Sequence, residues 1–209
     1  REKHYSVSVG ATLLLDYEEN FPIAVFDATL MSAIRTAAMA IISAQLSNAD
    51  LSDILIVGWG RVSQYVAKLL EALGYNDFRV HDPYCFAEGL PSNIQNEAVF
   101  NANTVIVATN SREAFITPDN CQAGFIVSVG ADTHFNFELS EDLLRQRSQI
   151  YVDCMDALQV GDLSRVTPPV STCGNIFDLY ANKDAQTFIS VGSPLMDALT
   201  IEYLSNKLI

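Results

Sequence analysis

Three charged side chains stand where their charge needs a reason. Arg35 is the only charge between Thr29 and Asn48, within an otherwise apolar helical stretch. Asp82 closes the run Phe78-Arg79-Val80-His81-Asp82, and Asp132 follows Phe125 to Val129 across Gly130-Ala131. A guanidinium presents a planar fork that matches a carboxylate. Asp82 could accept hydroxyl groups, and Asp132 could take a proton. Each acid or base also has a plainer reading. Arg35 could snorkel from a packed helix, and Asp132 could cap a turn after its glycine.

These residues need elements to position them. Ile54-Leu55-Ile56-Val57 runs straight into Gly58-Trp59-Gly60-Arg61-Val62-Ser63. A helix-like segment from Gln64 to Leu73 follows, then the run ending at Asp82, 24 residues after Gly58. Strand, glycine turn, helix, strand and acid in that order suit a dinucleotide. Gly58 would make the tight turn and Gly60 would admit a pyrophosphate. The helix opened by Arg61 and Val62 would offer its N–H groups and partial positive charge, and Asp82 would accept ribose hydroxyls. The alternative is an ordinary tight βα turn. Asp82 favours NAD over NADP, because a 2′-phosphate would meet a like charge and no arginine follows it.

From Leu51 the chain alternates strands and helices, which predicts an α/β fold with a Rossmann-type domain. Strands are expected at 53–57, 77–81, 104–108, 125–129, 149–153 and 187–191, and helices at 61–73, 140–147 and 195–206. Between Asp82 and Val105, Pro83, Gly89 and Pro91 suggest loop, with little room for a second helix and a third strand. Asn175 to Tyr180 could form a short helix. Upstream, residues 11–15 and 22–26 flank a polar turn and read as a β-hairpin. A lone hairpin is marginal, so a larger sheet is expected around it. Asp27 or Thr29 could cap a helix running to about Leu46.

A chain of 209 residues with 49% apolar content can bury a substantial core. No stretch has the roughly 18 uninterrupted apolar residues of a membrane span, and no signal-peptide pattern opens the chain. A net charge of −13 without a Lys/Arg cluster disfavours nucleic acid. Cys85, Cys121, Cys154 and Cys173 show no C-x-x-C spacing, so free thiols in a reducing cytoplasm are expected, with no metal site.

Several blocks together resemble the ornithine cyclodeaminase/mu-crystallin family. They are Phe21 to Ala38, with its Asp27-Ala28-Thr29 and Arg35-Thr36; Ile56 to Arg61; Val105 to Arg112; Gly124 to Asp132 followed by Glu138-Leu139; Val152-Asp153 with Gly161-Asp162-Leu163; and Ser190 to Asp197. They keep the family order across nearly the whole chain. The resemblance implies an NAD(P)-dependent enzyme that transfers hydride at a nitrogen-bearing carbon of an amino or imino acid. It assigns Arg35 to the substrate carboxylate, Asp132 to substrate nitrogen and proton transfer, and Ser190 and Gly192 to the substrate's vicinity. It assigns Thr36 to the pyrophosphate and Val129 to the nicotinamide pocket. Thr109, Asn110 and Ser111 end a strand beside the expected cofactor groove. For the hydroxyls, strand-end hydrogen bonding is an equal alternative.

On this basis residues 1–27 are expected to be a hairpin remnant of a substrate and dimerisation domain that is mostly absent, and 28–50 a connecting helix. Residues 51–192 are expected to form the dinucleotide domain, and 193–209 a returning helix. A homodimer is expected of the complete protein. The chain departs from the family at Phe125, where histidine is frequent. Lys3 does not match the family's upstream catalytic lysine. Two further readings compete: a non-catalytic dinucleotide- or small-ligand-binding protein of mu-crystallin type, and a regulatory dinucleotide domain of a transport system. The second of these leaves the Asp27–Arg35 block unexplained. His81 and His134 are expected to face solvent.

Overall fold

The structure is a computed structural model and describes residues 10–83, 94–95, 97–181 and 184–208. Lys3, Cys85, Gly89 and Pro91 lie outside the described residues.

Ile54–Val57 (β3), Phe78–His81 (β4), Thr104–Val107 (β5), Phe125–Ser128 (β6), Ile150–Val152 (β7), Gly174–Asn175 (β8) and Thr187–Ile189 (β9) form one parallel sheet in the order β4-β3-β5-β6-β9-β7-β8. Such a sheet is covered on both faces, so its strands are apolar runs rather than alternating ones. The period of two then divides them between two cores. Leu55, Val57, Val105, Val107 and Ile126 point to one side, against Ile116, Leu143 and Leu144. Ile54, Ile56, Ile106, Val127 and Phe188 point to the other, against helices Ala28–Leu46 (α1) and Arg61–Ala72 (α2).

Helix α1 meets this core through buried Ala33, Ala37, Ala40 and Ala44. Small residues at spacings of three and four let its backbone approach closely. By length and composition α1 could cross a membrane, but here that alanine stripe is a core face. Asp27 ends β2 (Pro22–Asp27) and also caps α1, accepting from Thr29 N at 2.9 Å and Leu30 N at 3.1 Å. The bond from Leu30, foremost, lowers the Asp27 carboxyl below its ordinary value.

The elements follow the expected pattern, with Glu141–Gln146 as α3, Ile176–Leu179 as α4 and Pro194–Leu208 as α5. Three features differ. The first is the hairpin of β1 (Ala11–Leu15) with β2, which pairs with no other strand among the described residues. It leaves Leu13, Phe21, Ile23 and Val25 exposed. The second is a vestige of a third strand after Asp82: one parallel bridge, Val80 to Ile94, with Gln95 N donating to Val80 O at 2.7 Å. The third is His81, which is buried rather than solvent-facing. Its Nδ1 lies 3.0 Å from Gln95 O and its ring meets Phe100 edge-on. Gln95, on the returning segment, and Phe100 cover the ring, so His81 has no solvent to face although Arg79 on the same strand is partly exposed. His134 is exposed, as expected.

Candidate functional site

The strands are parallel, so their carboxyl ends share one edge, and the strand order reverses between β3 and β5. Ligands of open α/β sheets bind at such a point. Gly58 and Gly60, Asp82, Thr109 to Ser111, Val129 to Asp132 and Ser190 to Gly192 all follow strands at this edge.

The glycine turn has the geometry its spacing predicts. Gly58 has φ +88°, and a Cβ there would stand 2.6 Å from Ala108 O and 2.8 Å from the Thr109 methyl. Only glycine allows β3 and β5 to leave the sheet so close together. Gly60 is the opposite case, with nothing within 4 Å of the place a Cβ would take. It is the N-cap of α2, and no side chain caps that end. The first N–H groups of a twelve-residue helix therefore end beneath open space, as an anion site requires. Asp82 Oδ2 accepts from Trp59 N at 2.7 Å, which fixes the acid against the turn.

Arg61 opens α2 and is exposed. With Asp27, Thr29 and Val25 it lines a cleft of about 450 Å³ between the hairpin and the helix. Val62 packs against the core on the α1 side. Thr36 is buried on α1, and Val129 is buried beyond β6, its N–H donating to Val107 O. Asn110 is exposed, and Ser111 Oγ donates to Glu113 O at 2.6 Å.

Arg35 is largely buried, with 15% of its side chain exposed. Its Nε donates to Asp197 Oδ1 on α5 at 3.0 Å and its Nη2 to Ser32 Oγ at 3.3 Å. Gly192, at φ +84°, lies under the guanidinium, where a Cβ would stand 2.9 Å from both terminal nitrogens. Ser190 Oγ and Gly192 N both donate to Asp153 Oδ2, each at 2.7 Å. Asp153 Oδ1 accepts from Cys154 N and Val191 N. Ser190 and Gly192 thus shape the floor beneath Arg35, with their donors already engaged.

Asp132 is solvent-accessible on the loop after β6. Partial burial nevertheless raises its carboxyl above the ordinary value, against its own backbone N–H, the charge of Arg35 and a bond from Asn136.

Two of the carboxylates the edge depends on received no role from the sequence. Asp197 had only a place in the last block, as partner to nothing. Glu138 is fully buried and accepts from Thr109 N at 2.6 Å, Thr109 Oγ1 at 2.9 Å and Gly130 N at 3.0 Å. The signal available for Glu138 was an acid next to an apolar residue, far from any basic partner.

Comparison with known proteins agrees with this geometry. The model of the ornithine cyclodeaminase/mu-crystallin family matches residues 2–83. An ornithine cyclodeaminase of Brucella abortus biovar 1 (strain 9-941) is 28% identical over 222 residues, covering 94% of this chain and 62% of that protein. The chain thus spans less than two thirds of that relative's length. Among solved structures, Thermococcus litoralis Δ(1)-pyrroline-2-carboxylate reductase, in complex with NADH and L-proline, superposes with a TM-score of 0.74 at 19% identity. It covers 95% of this chain and 71% of that one. An archaeal alanine dehydrogenase dimer with bound NAD gives 0.73 at 22%, covering 96% and 72%. At those identities the structures speak for the fold. The chain is thus similar to the ornithine cyclodeaminase/mu-crystallin family over residues 2–83 and shares the fold of these solved structures.

Proposed function

We propose that this chain is the dinucleotide-binding part of an NAD-dependent oxidoreductase or cyclodeaminase acting on a small amino or imino acid. The observation that carries the reading is the uncapped N-terminus of α2 beneath the open space at Gly60, with Asp82 fixed beside it. That cradle fits a pyrophosphate and an adenosine ribose. NAD supplies hydride transfer when bound. The protein's own groups do the rest. The N–H groups after Gly60 hold phosphate, and Asp82 accepts ribose hydroxyls and repels a 2′-phosphate. Arg35 grips the substrate carboxylate, backed by Asp197 and seated on Gly192. Asp132, its carboxyl raised by burial, exchanges a proton with the substrate nitrogen.

The relatives support the substrate class: one is named for ornithine, and a solved neighbour holds L-proline. A cytoplasmic location and a homodimer of the complete protein belong to the same reading. The acidic composition favours neither nucleic acid nor a membrane surface as partner.

Trp59 is the only tryptophan and lies between the turn glycines, so its fluorescence should report binding directly. Titration with NADH and NADPH should quench it, with NADH binding more tightly. Tighter NADPH binding would overturn the role of Asp82, and no binding of either would overturn the site. Amino-acid turnover is measured on the complete gene product. Binding without turnover there would favour the non-catalytic reading.

A further inference from the structure

Glu138 and Asp162 are two carboxyl groups, 0% and 2% exposed, that meet at one hydroxyl. Ser128 Oγ lies 2.7 Å from Glu138 Oε2 and 2.8 Å from Asp162 Oδ2. A serine hydroxyl has one proton to donate. With both acids ionised, one of those contacts would set lone pair against lone pair. The contacts need a second proton, held by either acid and donated to Ser128 Oγ, while Ser128 donates to the other.

The trio underlies the site's edge. Glu138 ties Thr109, after β5, to Gly130, after β6. Gly130 has no room for a Cβ, which would meet Glu138 Oε1 at 2.5 Å and Thr109 N at 2.5 Å. Asp162 Oδ1 accepts from Glu138 N at 2.6 Å and Leu139 N at 3.1 Å, which locks the segment that carries Glu138. Beside Asp162, Gly161 lies against Ala131 O, and its N–H donates to Thr133 O at 3.0 Å. Asp132 is therefore bracketed by residues the trio holds.

We propose that Glu138 and Asp162 share one proton through the Ser128 hydroxyl, and that this proton keeps the turns after β5 and β6 in the arrangement the dinucleotide meets. The pair is thus a positioning device for the site, a role that rests on the dinucleotide reading above. Burial first, and the charge of Asp162 second, push Glu138 up to about 7. Burial pushes Asp162 up to about 6, against bonds from Glu138, Ser128 and Leu139 and the charge of Arg165. Both values belong to the pair. Among the described residues, Arg165 is the cation that acts on the pair, from the 3-10 turn Asp162–Arg165, and its guanidinium stacks over Phe137. Arg145, on the α3 helix packed against that turn, is tied to Glu141. Asp132 and His134, on the loop above, are exposed.

The two acids answer differently to amidation. In Asp162→Asn the remaining oxygen still accepts both N–H groups, and the new amide donates permanently to Ser128. In Glu138→Gln the amide must face either Gly130 N–H or Thr109 N–H, donor against donor. The experiment titrates NADH into wild type and both variants from about pH 5 to about pH 9 and follows Trp59. Wild-type affinity should fall about tenfold as the shared proton leaves. Asp162→Asn should lose that pH dependence, and Glu138→Gln should bind more weakly throughout. A wild type and Asp162→Asn with the same pH profile would overturn the proposal while leaving the cofactor site intact.

If none of the three binds NADH, the dinucleotide reading fails, and thermal unfolding decides whether the proton is shared. The folded pair holds protons more tightly than free carboxyls, whose ordinary values are 3.8 and 4.5. Its contribution is therefore complete only below those ordinary values and is lost progressively as pH rises from them towards about 7. The Tm of Asp162→Asn relative to wild type should climb across that window. A constant difference would show a merely structural acid.

Discussion

Over β3 and β4 the edge facing the ligand is main chain arranged by glycine. Gly58 turns, Gly60 leaves space, and Asp82 takes one backbone N–H. Over β5, β6 and β9 the turns are again main chain, but carboxylates beneath hold them: Glu138 under Thr109 and Gly130, Asp153 under Ser190 to Gly192. On the proposed reading the first half needs its backbone exposed, so that phosphate can take the N–H groups. The second half would have to hold Arg35 and Asp132 in register, because misplacement of a reacting group by about 1 Å can cost about 10²-fold in rate. Openness serves binding, and buried polar scaffolding serves alignment.

Alanine at one glycine from each half should break this contrast most strongly. Gly130→Ala forces a methyl into the Thr109 backbone and the Glu138 carboxyl. It should lose about 3 kcal/mol or fail to fold. Gly60→Ala meets no atom within 4 Å. It should unfold like wild type, within about 0.5 kcal/mol, yet lose about tenfold or more in NADH affinity. Denaturant unfolding and Trp59 titration separate the two effects. Equal stability losses would erase the distinction between the halves.

Next in size are the two groups the scaffold aligns, tested in the complete gene product. Arg35→Lys keeps the charge but loses the fork that reaches Asp197 and Ser32. Asp132→Asn keeps the size and loses basicity. Each should lower turnover about 10²-fold with NADH affinity nearly unchanged. Loss of NADH binding in Arg35→Lys would move Arg35 to the nucleotide half. An active Asp132→Asn enzyme would make Asp132 a turn cap.

The smallest effect belongs to Asp82→Ala. It orphans Trp59 N–H and removes a charge near the expected 2′-position. Preference for NADH over NADPH should narrow about tenfold. An unchanged ratio in competition titrations would mean that another group reads the ribose.

How much of this was legible in the sequence follows the same division. The glycine half is local. Gly58, Gly60 and the strand–helix–strand pattern lie within one short stretch, and periodicity located every strand of the main sheet except the two-residue β8. The carboxylate half is not local. Glu138 finds Thr109 29 residues away and Asp162 24 residues away, and Asp153 finds Ser190 37 residues away. Nothing in spacing or composition links them. Resemblance brought these acids into view as blocks without a role. His81 was misread for a related reason: its cover, Gln95 and Phe100, comes from 14 and more residues away. The hairpin's exposed Leu13, Ile23 and Val25 find no further strand among the described residues, so the larger sheet expected around it stays an expectation.

One feature at the chain's other end acts at a distance. Asp27 is both the last residue of the hairpin and the cap of α1, so no linker separates strand from helix. Arg35 lies eight residues further along that helix, about 12 Å at the α-helical rise. The joint has no slack in which a tilt of the hairpin could dissipate. A rigid helix hinged at Asp27 would then carry any tilt of the hairpin to the guanidinium.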